Sequence, residues 1–123
     1  MNKDTLIFIK HILDAIEKIE DYTKSISKEN FEKDIQLQDA IIRRIEIIGE
    51  VAKNIAPGFK NNYPFVKWKE IIQTRDKIIH HYFGVDLKII WEIIKKDMPR
   101  LKQQMLKIKK TLERSNSNKT TLK

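Results

Sequence analysis

The stretch AIIRRIEIIGEVAKNI, residues 40–55, repeats its apolar residues at the spacing of an α-helix. With the residues before it, it gives one apolar stripe: Leu37, Ile41, Ile45, Ile48, Ala52 and Ile55. Such a stripe lies along one face of a helix and requires neighbouring elements to cover it. We therefore predict a long helix over residues 35–55, capped by Asp34 and ended by Ala56-Pro57-Gly58.

The rest of the chain shows the same helical periodicity and no strand-like alternation. Further helices are predicted over residues 4–22, 27–33, 64–82, 87–96 and 98–113, with Ser27 and Asp86 as N-caps and Pro99 in the first turn of the last helix. The pattern predicts an all-α fold, an antiparallel up-and-down bundle of four to five helices. Residues 1–113 are expected to form a single domain, and residues 114–123 a basic, disordered C-terminal tail.

Composition excludes several classes of function. The chain of 123 residues contains no cysteine, which removes disulfides, thiol nucleophiles and cysteine-based metal sites. We expect a cytoplasmic protein, because nothing resembles a signal peptide and no apolar run is long enough to span a membrane. No Gly-rich phosphate loop, G-x-S-x-G motif or dinucleotide fingerprint is present, so no cofactor is expected.

The net charge of +8 is concentrated at one end of the sequence. Residues 1–87 carry 14 Lys and Arg against 14 Asp and Glu, whereas residues 88–123 carry 11 against three. This asymmetry suggests an acidic partner, most commonly a nucleic acid, with Lys88, Lys95, Lys96 and Arg100 as candidate steering residues. A solvated helix face is the alternative that charge alone leaves open.

A second stretch, TRDKIIHHYFGVD at residues 74–86, places a cation in an apolar helix face. On a helical wheel Arg75 falls among Trp68, Ile71, Ile72, Ile78, Ile79 and Tyr82. An arginine there is costly unless its guanidinium reaches a partner or a hydrated cleft. It could pair with a carboxylate such as Glu50, lie at a dimer interface, or belong to a functional site.

His80 follows Arg75 by five residues, which on a regular helix turns it by about 140°. One straight helix would therefore not aim both side chains at one small group. Either the helix bends or ends near His80, where Gly84 is suitably placed, or a two-fold dimer brings two copies together. The mid-helix Gly49 beside Glu50 is best explained by close helix packing.

Arginine, histidine and tyrosine suffice for chemistry on RNA without a metal. A guanidinium binds a phosphodiester bidentately and stabilises the charge of its transition state. A histidine can take a proton from a ribose 2′-hydroxyl or give one to the leaving oxygen. No metal site is expected, because His80 and His81 are adjacent and no H-E-x-x-H motif occurs.

Arg75-x4-His80-x-Tyr82 resembles the R-x4-H-x-Y motif of the HepT-like toxins in the HEPN superfamily of helical-bundle ribonucleases. AIIRRIEIIGEVAKNI is similar to the second long helix of that family. Trp68 before the motif, FGVD after it, and then Trp91 and Pro-Arg-Leu follow the same order, so the resemblance covers about residues 4–112. Asp76 stands where relatives often have Asn or Asp.

The resemblance implies a homodimer with the motif at a composite cleft, acting as a metal-independent endoribonuclease and as the toxin of a toxin–antitoxin pair. Arg75 would hold the scissile phosphate and His80 would be the general acid/base, with Asp76, His81 and Glu50 as supporting candidates. The antitoxin would be an MNT-type nucleotidyltransferase that transfers AMP from ATP to Tyr82. Phosphate beside Arg75 would occupy the anion site and repel RNA.

Two other functions fit the same fold. The chain could be a non-catalytic helical partner of a nucleotidyltransferase, contributing to a nucleotide or substrate pocket. A small DNA-binding bundle has less support, because it lacks a convincing short-turn helix pair and depends on charge alone. RNA cleavage in EDTA that leaves 2′,3′-cyclic phosphate ends would separate the enzyme from both alternatives.

Overall fold

The computed structural model describes residues 2–80 and 86–121, apart from the side chains of residues 2–3, 75, 77–80 and 116–121. Within these ranges the chain forms helices joined by short connections and contains no strand. The prediction of an all-α bundle is confirmed. None of the helices in the described part has the length and apolar character needed to cross a membrane.

The first three helices begin and end close to their predicted positions. They are α1 (Asn2–Thr23), α2 (Lys28–Lys33) and α3 (Ile35–Asn54). The Ser27 hydroxyl accepts a hydrogen bond from the Asn30 amide at 3.1 Å, and an Asp34 carboxylate oxygen accepts one from the Leu37 amide at 3.0 Å. Both are N-caps that satisfy an amide with no partner inside its own helix.

Residues after α3 form a short helix where the sequence predicted only a turn. Helix α4 (Pro57–Asn61) has its proline at the first position, where the missing N–H leaves no bond unmade. The Lys60 ammonium donates to the Ala52 carbonyl at 2.9 Å and so satisfies an acceptor near the end of α3. Partial burial of this ammonium lowers the pKa of Lys60 from its ordinary value.

The last part of the described chain is one nearly continuous helical rod. It consists of α6 (Leu87–Glu92), a π-helical turn (Ile93–Asp97) and α7 (Met98–Thr121). Asp86 caps α6 as predicted, by accepting from the Lys88 amide at 2.9 Å. Helix α7 begins at Met98 with Pro99 in its first turn, as predicted. The π-helical turn before it was not predicted: the chain winds wider there, and the Met98 amide donates to the Ile93 carbonyl five residues back.

Helix α7 also continues further than predicted, to Thr121 rather than to about residue 113. Residues 114–121 contain neither glycine nor proline, so nothing in their covalent structure stops the helix. The expectation that this segment is irregular therefore does not hold for its backbone as far as Thr121. The division into a domain over 1–113 and a tail over 114–123 remains a prediction.

Helix α5 (Trp68–His80) completes the bundle. Its predicted continuation to residue 82, and the predicted helix break at Gly84, lie outside the described residues. Helix α3 packs against both α1 and α5, and α1 also packs against α7. A Glu20 carboxylate oxygen of α1 lies 2.8 Å from the Lys102 ammonium of α7, so the end of α1 adjoins the start of α7.

The core is built from the stripes of these helices. Its fully buried members include Ile9, Ile12, Ile16, Ile19, Phe31, Ile41, Ile48, Ile55, Ile90, Met105 and Ile108. Burying a side chain of this size contributes about 1.5–3 kcal/mol relative to leaving it in water. The stripe predicted for α3 is confirmed over Ile41, Ile45, Ile48 and Ala52, all of which are buried. Gly49 is buried on the same helix, as a packing position would be.

Candidate functional site

Helix α5 carries the two residues predicted to be catalytic, and its N-terminal end is firmly anchored. Trp68 is 7% exposed, and its indole N–H donates to the Tyr63 carbonyl at 3.2 Å. Val66, also buried, turns the chain into the helix by accepting from the Trp68 amide at 2.9 Å. These contacts fix the start of α5, and with it the direction of the helix that carries Arg75 and His80.

The described backbone is α-helical from Trp68 through His80, with no break between Arg75 and His80. Five residues on such a helix separate the two Cα positions by about 7.5 Å along the axis and about 140° around it. The backbone therefore keeps Arg75 and His80 about 140° apart around the axis of α5, as the sequence predicted. The side chains of Arg75 and His80 lie outside the described residues, as do His81 and Tyr82 entirely.

The other candidate residues lie on two neighbouring elements. Asp76 is partly buried on α5, and Glu50 is exposed on α3, the helix that packs against α5. The Glu50 carbonyl accepts from the Asn54 side-chain amide at 3.1 Å, a bond within α3. The supporting roles suggested for Asp76 and Glu50 remain predictions, as does that of His81.

The four candidate steering cations are all exposed on the rod formed by α6, the π-helical turn and α7: Lys88, Lys95, Lys96 and Arg100. Lys95 covers an aromatic ring, with its ammonium 4.8 Å from the centre of the Trp91 ring. That indole also contacts the buried Phe31, at 5.4 Å between ring centres. Lys95 therefore has a favoured resting position, from which an anion could withdraw it.

A pocket of about 120 Å³ lies between α3, α5 and the start of α7. Its apolar lining includes Ile45, Ile48, Ile71, Ile93 and Met98, and its polar lining includes Lys67, Glu70, Thr74, Asp97 and Arg100. Of the candidate site residues, Arg100 lines this pocket, and Thr74, another lining residue, directly precedes Arg75. The pocket lies beside the candidate site and is not built from its motif residues as far as these are described.

Sequence reasoning did not find this pocket. The signal was present in part, because Lys67, Glu70, Ile71 and Thr74 recur at the spacing of one face of α5. The other wall depends on the π-helical turn at Ile93–Asp97, which a periodicity of 3.6 residues does not predict. In the part of the chain that the structure describes, no three His, Asp or Glu residues are grouped so as to hold a metal ion.

The fold and the order of its motif residues define an all-α bundle of the HEPN type. The model of the family "Ribonuclease HepT-like" matches residues 12–108, a range that includes all of α5. The chain belongs to this family.

Curated relatives support the same assignment. A Thermococcus cleftensis protein named "Probable ribonuclease HepT" is 45% identical over 103 residues, which cover 84% of this chain and 94% of that protein. A Caldanaerobacter subterraneus protein named "Putative RNase" is 46% identical over 101 residues, 82% of this chain and 90% of that protein. No solved structure gives a significant match.

One relative is considerably longer than this chain. The Methanocaldococcus jannaschii protein named "Gamma-glutamylcyclotransferase and putative RNase" is 49% identical over 119 residues, 97% of this chain. The chain spans only 54% of that protein's length. The similarity therefore concerns about half of that relative.

Proposed function

We propose that this chain is a metal-independent endoribonuclease, active as a homodimer in the cytoplasm, and the toxin of a toxin–antitoxin pair. The observation that carries the proposal is the family match over residues 12–108, which contains helix α5 and the whole R-x4-H-x-Y pattern. The relatives with ribonuclease names cover most of the chain and support RNA as the substrate.

Arg75 would bind the scissile phosphate. Its guanidinium remains charged at any physiological pH and can donate two parallel hydrogen bonds to the non-bridging oxygens. Because negative charge accumulates on these oxygens as the attacking oxygen approaches, the interaction strengthens in the transition state. Its wheel position among the apolar residues of α5 would lower the competition from water.

His80 would transfer protons. The ribose 2′-oxygen forms a bond to the adjacent phosphorus while the bond from phosphorus to the 5′-oxygen breaks. One imidazole accepts the proton of the 2′-hydroxyl, and a protonated imidazole donates one to the departing 5′-oxygen. The products are a 2′,3′-cyclic phosphate and a 5′-hydroxyl, and the reaction consumes no water in this step. Neither a metal nor a protein nucleophile takes part.

A dimer would resolve the difference of about 140° between Arg75 and His80 around α5. In a two-fold arrangement Arg75 of one copy and His80 of the other can face the same phosphate. Apolar side chains of α5 and α6 that the single chain leaves partly or largely exposed support such an interface. Ile89 of α6 is 57% exposed, and Ile71 and Ile72 of α5 are only partly buried in the single chain.

Regulation would act on the same site through Tyr82. The MNT-type antitoxin would transfer AMP from ATP to the tyrosine oxygen and release pyrophosphate. The new phosphodiester would place negative charge within reach of Arg75, compete with the RNA phosphate and repel the remaining backbone.

The test is cleavage of RNA by the purified, unmodified protein in EDTA, with the new ends identified chemically. We expect 2′,3′-cyclic phosphate ends, and a loss of at least about 100-fold in rate for Arg75→Ala and His80→Ala. His11→Ala and Arg43→Ala are matched controls, since both residues are exposed on helices other than α5. Circular dichroism and sedimentation would verify that each variant remains folded and associated.

Two outcomes would contradict the proposal. Undiminished cleavage by a folded His80→Ala protein would exclude the mechanism. No cleavage of any RNA by the unmodified wild-type protein would favour the non-catalytic partner of a nucleotidyltransferase.

A further inference from the structure

Helix α7 presents to solvent a row of four cations, of which Arg100 is a candidate steering residue and the other three have no role in the candidate site. We call Arg100, Lys107, Lys110 and Arg114 the basic stripe. All four are exposed, and they follow one another at intervals of seven, three and four residues. These intervals keep the four side chains on one face of a helix. From Arg100 to Arg114 the stripe extends about 21 Å.

The charges of the basic stripe are available for an external partner. Within residues 2–80 and 86–121, no described carboxylate forms an ion pair with any of the four. Lys102 on the same helix provides the contrast, because its ammonium lies 2.8 Å from a Glu20 carboxylate oxygen. The cation facing the bundle is thus neutralised, while the four facing solvent are left uncompensated.

The composition of α7 favours a polyanionic backbone over a membrane or a protein as the partner. A helix lying in a lipid surface must insert its apolar face. The apolar face of α7 is buried against the bundle, at Leu101, Met105, Ile108 and Leu112. A protein interface requires an apolar or aromatic centre, and among the described side chains of α7 the exposed side offers only Leu106, at 38% exposure. Contacts to the phosphates of a nucleic acid require neither an apolar face nor an apolar centre.

We propose that the basic stripe binds the phosphate backbone of single-stranded RNA at a distance from the cleavage site. The proposal builds on the ribonuclease function proposed above and adds a requirement for substrate length. Thr74, which directly precedes Arg75, and Arg100 line the same pocket beside the candidate site, whereas Arg114 lies about 21 Å along α7 from Arg100. RNA held at both the candidate site and Arg114 must be long enough to cover that distance, with Lys107 and Lys110 between them.

Binding is tested with a fluorescent, fully 2′-O-methylated RNA of about 30 nucleotides, which lacks the attacking hydroxyl and cannot be cleaved by this route. The stripe variant is Lys107→Gln, Lys110→Gln and Arg114→Gln. Its matched control is Lys10→Gln, Lys24→Gln and Lys53→Gln, three exposed cations on α1, the adjoining turn and α3. The two triple variants have the same net charge, so a non-specific effect of charge would weaken the RNA affinity of both equally.

We expect the stripe variant alone to lose at least about tenfold in affinity. The slope of log affinity against log salt concentration should also fall by about 2, since three phosphate contacts to a single strand are lost. Equal losses in the two triple variants would overturn the proposal. Binding of the wild-type protein to phosphatidylcholine–phosphatidylserine vesicles as tightly as to RNA would overturn it as well.

Cleavage kinetics distinguish this proposal from the proposed function. On a long RNA the stripe variant should raise KM at least about tenfold with kcat within about twofold, and on a dinucleotide it should leave kcat/KM unchanged. If the wild-type protein cleaves nothing while the stripe variant still loses binding, the ribonuclease function fails and RNA binding by the stripe stands. If the wild-type protein cleaves RNA and the stripe variant is indistinguishable from its control, RNA binding by the basic stripe is excluded and the ribonuclease function stands.

Discussion

Helices α1 and α7 pack against each other and bury equivalent apolar stripes, yet their charges have opposite signs. Helix α1 carries three lysines and five carboxylates, a net of −2 without His11. Helix α7 carries seven Lys and Arg and the single carboxylate of Glu113, a net of +6. Their buried faces are equally apolar, with Ile9 and Ile16 on α1 and Met105 and Ile108 on α7 all at 0% exposure.

The difference shows that the two sides of an amphipathic helix answer to different constraints. The buried side must fill the core, so α1 and α7 agree there. The solvent side contributes little to folding free energy, because exposed charges interact weakly through water. The charges on the solvent side can therefore suit a binding partner without loss of stability, and it is in these charges that the two helices differ. This division leads to three predictions about stability.

The largest expected effect comes from the shared core. Ile16→Ala in α1 and Met105→Ala in α7 should each lower the free energy of unfolding by about 2–5 kcal/mol, since both remove fully buried atoms and leave a cavity. Urea unfolding at neutral pH measures both. Leu106→Ala, at a side chain 38% exposed, is the control and should cost less than about 1 kcal/mol. A large loss of unfolding free energy from only one of the two substitutions would show that α1 and α7 do not contribute equally to the stability of the core.

A smaller loss of stability is expected when the N-cap of α3 is removed, and no comparable loss is expected at the start of α7. Asp34→Ala removes the cap on the Leu37 amide and should cost about 1 kcal/mol. Asp97 also directly precedes a helix, but α7 continues from the π-helical turn and has no free end there. Asp97→Ala should therefore cost less than about 0.5 kcal/mol in the same urea experiment. Equal costs would indicate that α7 begins as an independent helix.

The smallest effect concerns the ion pair that joins the two helices. The hydrogen bond from Lys102 to Glu20, together with the charge of that carboxylate, raises the pKa of Lys102 above its ordinary value of 10.5. A raised pKa means that the folded state holds the proton more tightly. The resulting stabilisation is complete below pH 10.5 and is lost as the pH rises through the folded-state pKa.

Lys102→Met should thus cost less than about 1 kcal/mol at neutral pH, because both side chains are partly exposed, and nothing at a pH well above 10.5. A double-mutant cycle with Glu20→Gln isolates the pair. Lys109→Met, on the same flank of α7, corrects for loss of a lysine. A coupling energy that persists at high pH would rule out the ionic origin of the effect.

The local features of this fold could be predicted from sequence because each depends on a few adjacent residues. The caps at Ser27, Asp34 and Asp86 are of this kind, since a side-chain oxygen reaches an amide two or three residues ahead. The buried stripes follow equally from the period of the helix. Family membership was also within reach, because the motif and its neighbours occur in a fixed order.

Features that depend on tertiary packing were missed. The turn at Pro57 closes into α4, where Lys60 reaches the Ala52 carbonyl, a contact between segments whose approach the sequence does not specify. The wide turn before Pro99 lets Ile93, Ile94 and Met98 all face the core, which local propensity does not predict. For the candidate site, the sequence and backbone give the positions of Arg75 and His80 along α5. In the dimer proposed above, a second copy of the chain would bring them together.

The contact between Lys95 and Trp91 places an intrinsic fluorophore beside one of the candidate steering cations. The chain has two tryptophans, and Trp68 is shielded from solvent at 7% exposure. Trp91 is partly exposed beneath the Lys95 ammonium, 4.8 Å from its ring centre. A phosphate that attracts this ammonium away changes the electric field at the indole and hence its emission. The intrinsic fluorescence of the wild-type protein would therefore change when RNA arrives, without any attached dye, and a Trp91→Phe protein would lose that change.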